Sequence, residues 1–237
     1  MRLNQYISSS GLCSRREADK LIQNKKVFIN NKPAEIGQTV GKGDTVKIDG
    51  KIIKPKNQKV YIALNKPSGI TCTTETKVKG NIIEFIGHNE RIFPVGRLDK
   101  DSEGLILLTN DGNIVNKLLR QENKHDKEYV VTVDQPITPE FIESMQKGVT
   151  IFNPVTKRHT KTKRCEVERL NKDTFKIILQ QGLNRQIRRM CQALGYEVTK
   201  LKRVRITNLT LRDIPLGKWR ELTSNEVDTL LKSIEEK

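Results

Sequence analysis

Between Phe93 and Asn110 the chain reads FPVGRLDKDSEGLILLTN, and this stretch restricts the possible folds more than any other. Pro94 and Gly96 force a turn, and Arg97, Leu98 and Asp99 follow in a row. A second polar turn, Lys100 to Glu103, leads through Gly104 into the strand-like apolar run Leu105 to Leu108. A carboxylate held on a bend between buried segments is placed for chemistry, because loops on a rigid scaffold carry most catalytic groups. Taken alone, an Asp in a turn more often accepts backbone N–H bonds. The surrounding sequence decides between the two.

The 237 residues suffice for one large domain, or for one medium and one small domain. A formal net charge of +16, spread along the whole length, points to a polyanionic partner, with nucleic acid foremost. Membrane attachment is disfavoured: there is no basic amphipathic helix with bulky aromatics, and no apolar run nears the roughly 18 residues of a spanning helix. Met1-Arg2-Leu3 opens no signal peptide, so a cytoplasmic location is expected. Cys13, Cys72, Cys165 and Cys191 lack paired spacing, and His88, His125 and His159 are scattered. Neither a disulfide framework nor a metal site is expected. With no coiled-coil pattern or extended apolar stripe, a monomer is the expectation.

Leu3, Tyr6 and Ile7 have helical spacing, and Gly11 ends that helix. Ser14-Arg15-Arg16-Glu17 reads as a capping box opening a helix that buries Ala18, Leu21 and Ile22 and leaves Arg15, Arg16 and Lys20 in solvent. A hairpin turns at Asn30-Asn31, and another short strand, Val46 to Ile48, ends at Asp49-Gly50. Lys-rich residues 52–59 read as a linker between a domain over 1–51 and a larger one over 60–237.

In the larger part, Tyr61 to Leu64, Tyr129 to Val133 and Val204 to Leu211 read as strands, and 167–170 with 174–179 as a hairpin. Helices are expected over 81–86, from Ile114 to Leu119, after Thr138-Pro139, over Gly182 to Leu194, and after the capping box Thr223 to Glu226. Strands arrive in hairpin-like succession, so the fold class is α+β with a mainly antiparallel sheet.

The first module resembles the small RNA-binding domain named after ribosomal protein S-four, through Arg2-Leu3, Gly11, Ser14 to Ala18, Val27, Asn30, Gly43-Asp44 and Val46. Lys25 and Asn31 stand where that pattern usually has glycine, which predicts costlier turns rather than a lost fold. Four segments of the larger part share a second resemblance: Leu64 to Gly69, Gly96 to Asp99 with Gly104-Leu105, Lys127-Glu128-Tyr129, and GLNRQIRRM over 182–190. In this order they resemble the pseudouridine synthases, in the branch that modifies ribosomal RNA and carries the S-four-type domain in front. Residues His125 to Tyr129 and Val149 to Lys157 look most like the members acting on large-subunit RNA.

The resemblance implies an isomerisation that breaks the base–ribose bond of uridine, turns the uracil and rejoins it through ring carbon 5. Nothing enters from outside, so no cofactor is implied. Asp99 would be the carboxylate at the ribose, open either to direct attack or to proton removal giving a glycal. A carboxylate in a dry pocket needs a cationic partner to stay charged. By position that partner is Arg188, with Arg185 one helical turn earlier as runner-up. Tyr129 would stack on the uracil, Leu98 and Ile187 would wall the pocket, and Arg97 would fill the gap left by the extruded base. Lys66 would shape the pocket floor on the RNA-binding side, and Arg15 and Arg16 would meet the RNA backbone. The implied substrate is 23S (large-subunit) ribosomal RNA. Small-subunit RNA or a tRNA stem-loop are alternatives, as is a non-catalytic RNA-binding protein of ribosome assembly.

Overall fold

Local signals in the first sixty residues are realised almost as written. The computed structural model describes residues 1–119, 125–154 and 156–235. Its contacts gather into two compact units: Met1–Val60 with His88–Ile92 and Thr109–Gly112, and Tyr61–Gly87 with Phe93–Leu108 and Asn113–Lys237.

In the first unit, helix α1 (Leu3–Ser9) buries Leu3 and Ile7. Helix α2 (Arg15–Gln23) opens on the expected capping box: the Glu17 N–H donates to Ser14 Oγ at 3.2 Å, and the Ser14 N–H donates to Glu17 at 2.7 Å. Strands β1 (Val27–Ile29), β2 (Lys32–Pro33), β3 (Val46–Ile48) and β4 (Lys51–Ile53) form a sheet in the order β2-β1-β3-β4. Asn30 and Asn31 both have positive φ, 49° and 66°, as a two-residue turn between antiparallel strands demands. Lys25 is also left-handed, at 55°, so both replaced glycines occupy conformations that glycine adopts more cheaply. Ala18, Ile22, Val27 and Val46 fill the core beneath the helices.

The expected linker is shortened at its start. The Asp49-Gly50 turn does not release the chain but returns it as β4, with Ile53 opposite Val46 and packed on the core. Further on, the Lys56 N–H donates to Ser9 O at 2.9 Å, and the Lys56 ammonium meets Glu90 at 2.7 Å.

The second unit is built on a nine-stranded sheet. Its main path runs β11 (Glu166–Arg169), β12 (Thr174–Leu179), β8 (Lys127–Val133), β13 (Val198–Ile206), β7 (Glu103–Thr109), β5 (Tyr61–Lys66), β15 (Trp219–Glu221). Strand β14 (Leu209–Thr210) pairs with β13, and β6 (Phe93–Val95) pairs with β7. The pairings β11–β12, β12–β8, β8–β13 and β15–β5 are antiparallel, whereas β7 and β13 run parallel. Every residue of β5 is buried, as is β7 from Gly104 onward. Such unbroken burial is what interior strands covered on both faces require.

Helices α3 (Ile82–Ile86), α4 (Gly112–Leu119), α5 (Pro139–Lys147), α6 (Gln186–Ala193) and α7 (Ser224–Glu235) complete the described elements, with the two-stranded hairpin of β9 (Thr150–Asn153) and β10 (Arg158–Lys161). Thr138 caps α5 with Pro139 at the first helical position, and the capping box of Thr223 and Glu226 opens α7. One apolar cluster gathers β8, β12, α5 and α6; another gathers β5, β7, α4 and α7.

Three expectations need correction. The segment Val204 to Leu211 is not one strand, because Thr207 takes a φ of 49° and folds the chain into the β13–β14 hairpin. On α4, where helical spacing predicts Ile114, Val115, Leu118 and Leu119 on one face, Ile114 and Leu118 are buried but Leu119 is 43% exposed. Helix α6 begins at Gln186 rather than Gly182, since Arg185 is left-handed with a φ of 47°.

Candidate active site

Asp99 lies in the turn between β6 and β7, with its side chain 34% exposed. That turn is pinned from several directions. The Ser102 N–H donates to Asp99 O at 3.1 Å, and the Gly69 N–H donates to Lys100 O at 2.7 Å. The Lys66 ammonium donates to Pro67 O at 2.8 Å, Ile70 O at 3.0 Å and Lys100 O at 3.4 Å. A residue with zero exposure cannot reach an RNA phosphate, so the RNA-binding role expected for Lys66 is corrected: its charge is consumed by three carbonyls that tie two turns together. Burial pushes the Lys66 ammonium below its ordinary pKa, with Cys72 and the carboxylates of Asp101, Glu103 and Asp99 pulling the other way.

The second correction concerns the cation at Asp99. Arg185, not Arg188, approaches it, with Nη1 at 3.6 Å from Oδ2. Because Arg185 precedes α6 in a left-handed conformation, the helical-spacing argument for its direction does not apply. Arg185 also grips Asp101 with both terminal nitrogens, at 3.2 and 3.0 Å. This two-pronged contact, joined by the Arg188 charge, holds the Asp101 carboxyl below the usual range. Arg188 is turned inward, donating to Val198 O at 3.1 Å, Asp101 O at 3.3 Å and Ser102 Oγ at 3.4 Å. It clamps the far side of the Asp99 turn onto the start of β13. Arg185, Arg188 and Arg189 share a cavity of about 320 Å³ with Gln192, Glu197 and Val198.

Tyr129 stands half-buried on β8, against the first apolar cluster. The sheet relates it to the Asp99 turn through one rung: Tyr129 is opposite Arg203 on β13, and Arg203 is opposite Gly104 on β7. Two inter-strand steps put the Tyr129 and Gly104 backbones about 10 Å apart. Gly104 has a φ of 106°, and a Cβ there would fall 2.2 Å from Arg203 O. Only glycine lets β7 and β13 approach this closely.

Leu98 is buried beside Asp99, while Ile187 packs inside the first apolar cluster. Arg97 is exposed at the turn. Arg15 and Arg16 are exposed on α2 in the other unit. Asp101, Ser102 and Arg203 escaped the sequence reading. Asp101 had a signal, a second acid two residues after Asp99. Arg203 had none, since nothing in KRVRI separates a buried arginine, donating from Nε to Leu105 O at 2.7 Å, from its neighbours.

The arrangement offers one part-exposed carboxylate on an immobilised turn, with a fixed cation beside it and a half-buried aromatic two strands away. In general a carboxylate can act as nucleophile or base, a guanidinium can balance its charge, and an aromatic ring can stack on a nucleobase. Among the described residues no group of three or more His, Cys, Asp and Glu side chains could hold a metal ion, and no helix is long and apolar enough to cross a membrane.

The chain is similar along its length to known proteins. A family model described as RNA pseudouridylate synthase matches residues 60–193, and one for the S4 domain matches residues 1–46. The chain is 57% identical over 99% of its length to the dual-specificity RNA pseudouridine synthase RluF of Salmonella typhi, covering 80% of that protein. It is 36% identical to the ribosomal large subunit pseudouridine synthase B of Bacillus subtilis, covering 97% of this chain and 95% of the relative. A crystal structure of a pseudouridylate synthase superposes with a TM-score of 0.71 at 26% identity, over 97% of this chain and 99% of the other.

Proposed function

The chain belongs to the RNA pseudouridylate synthase family and carries an S4 domain in front, and from that premise we propose how and on what it acts. It is a pseudouridine synthase, an enzyme that isomerises uridine in RNA. The substrate we infer is a uridine of 23S ribosomal RNA, reached in the cytoplasm by the protein as a monomer. The observation that carries the reading is the Asp99 carboxylate on its pinned turn, 3.6 Å from the Arg185 guanidinium.

In this reading the target nucleotide is extruded from its helix so that its ribose meets Asp99. Arg97, exposed at the head of the same turn, enters the gap the base leaves. Asp99 acts at the ribose while the base–ribose bond opens. Arg185 holds the negative charge where it is needed, and Arg188 and Lys66 keep the turn from yielding. Tyr129 stacks on the freed uracil as it turns, and its hydroxyl assists loss of the proton from ring carbon 5 once the new bond forms. Base, ribose and electrons are conserved throughout, so the residues present suffice.

Tritium release from 23S transcript labelled at uridine carbon 5 tests this. Asp99→Asn keeps size and hydrogen bonding but removes the charge, and should lower kcat by about a thousandfold or more. Turnover near wild type would remove Asp99 from the mechanism. A second reading adds another class of RNA substrate, favoured by the words "dual-specificity" in the relative's name. A tRNA transcript in the same assay decides it, turnover supporting the wider range and its absence the narrower one.

A further inference from the structure

The β9–β10 hairpin has no part in the chemistry above, yet its two faces differ sharply. Ile151 points inward, buried to 3% in the first apolar cluster. Phe152, the next residue, is 48% exposed and lies directly across the ladder from His159. Their rings meet edge to face with centroids 5.6 Å apart and planes at 61°. About half of the Phe152 surface stays in water, leaving much of the pair open to a ligand. Around it, residues 150–164 hold five lysines and arginines and no acid, and all five cations are exposed. The hairpin is also anchored: Arg189 donates from Nη1 to Phe152 O at 2.6 Å and from Nη2 to Asn184 Oδ1 at 3.1 Å. Arg189 follows Arg188 on α6, so the aromatic pair is tied to the helix from which Arg188 reaches Asp101 and Ser102.

We propose that this hairpin grips substrate RNA, stacking an unpaired base on Phe152 and His159 while its cations, Lys161 foremost, hold the flanking phosphates. Aromatic side chains set among cations are how proteins bind single-stranded nucleic acid, since every base offers a face to stack and every nucleotide a phosphate. The register places Lys161 on the same face as the pair, two residues beyond His159. The choice of RNA as occupant rests on the function proposed above.

Two variants separate the components of the grip, each assayed for turnover and for filter retention of the 23S transcript across salt concentrations. Phe152→Ala should weaken binding and raise KM by about 5- to 100-fold, the range of one lost base stack, with kcat within about twofold. Its salt dependence should match wild type, and Phe152→Trp should restore affinity. Lys161→Gln should instead flatten the salt slope by about 0.7 to 0.9, one phosphate contact. Thermal melting accompanies each assay, and Phe152→Leu, which keeps apolar bulk without the ring, stands in if the alanine variant melts early. Binding and KM within twofold of wild type in both variants, or a loss confined to kcat, would overturn the proposal. Absence of wild-type turnover on this RNA would overturn the substrate reading instead, leaving the hairpin to be decided by the retention data.

Discussion

Arginine is used in opposite ways in the two units. On α2, Arg15 and Arg16 are exposed in the first turn of a capped helix, with the Arg15 guanidinium close to Gly112. At α6, Arg185 and Arg188 direct their donors to Asp99, Asp101, Ser102 and the Val198 carbonyl, and Arg188 is 15% exposed. An exposed arginine retains its donors for a phosphate and releases counterions when it binds one. An arginine already engaged on several protein acceptors fixes geometry instead. Position in the fold, not residue type, separates exposed arginines from those engaged on protein acceptors.

Exchanging charges in each setting tests that contrast. Arg185→Met should have the largest effect, cutting kcat by about a hundredfold through loss of the charge next to Asp99, with little change in retention of RNA. An equal fall in affinity would place Arg185 with the binding arginines. Lys66→Met should come next, because the Pro67 and Ile70 carbonyls lose their buried donor. We expect about 2–4 kcal/mol less stability in urea unfolding, together with a slower enzyme. A variant of unchanged midpoint would show that the buried ammonium does not hold the turn.

The Arg15→Ala/Arg16→Ala double variant should raise KM several-fold, flatten the salt slope of RNA binding by about 1.5, and leave kcat alone. A wild-type slope would contradict the role given to α2. The smallest effect is expected at Glu226, whose carboxylate is gripped by Arg220 at 2.7 Å through both oxygens. That hydrogen bonding, ahead of the Thr223 contacts, holds its pKa at about 2. A depressed carboxylate stabilises the fold above its unfolded value, near 4.5, and loses that contribution as pH falls from there toward 2. Glu226→Gln should therefore cost about 1 kcal/mol at pH 7, with the difference from wild type closing below pH 4. A gap independent of pH would assign the loss to the cap alone.

What could be read in advance divides along the same line. The boxes at Ser14 and Thr223, the Thr138-Pro139 start and the Asn30-Asn31 turn are set by contacts within a few residues, and sequence carries them directly. The sequence also singles out Leu64 to Gly69 and Gly96 to Asp99, whose turns the structure ties together. The motif position favours Arg188 as the cation at Asp99, whereas the left-handed Arg185, just outside the helix, is the one that reaches it, a backbone turn that motif position does not reveal. Burial of Lys66 and Arg203 depends on distant carbonyls that no local pattern announces. Strand β4 was hidden by composition, since Lys51 and its lysine-rich sequel read as solvated chain although Ile53 completes the small core.

At Gly104 a methyl group would collide with backbone that cannot turn aside, while at Gly182 nothing lies within 4 Å. The parallel seam between β7 and β13 is therefore defined by a missing atom, and it joins the acid's strand to the tyrosine's neighbour with no side chain to act as a cushion. Spacing between the β7 and β13 backbones at this rung is thus inherited from covalent backbone dimensions. It cannot be retuned by exchanging one residue for a bulkier or slimmer one, and specificity must be varied elsewhere, on the loops and hairpins around a fixed gauge.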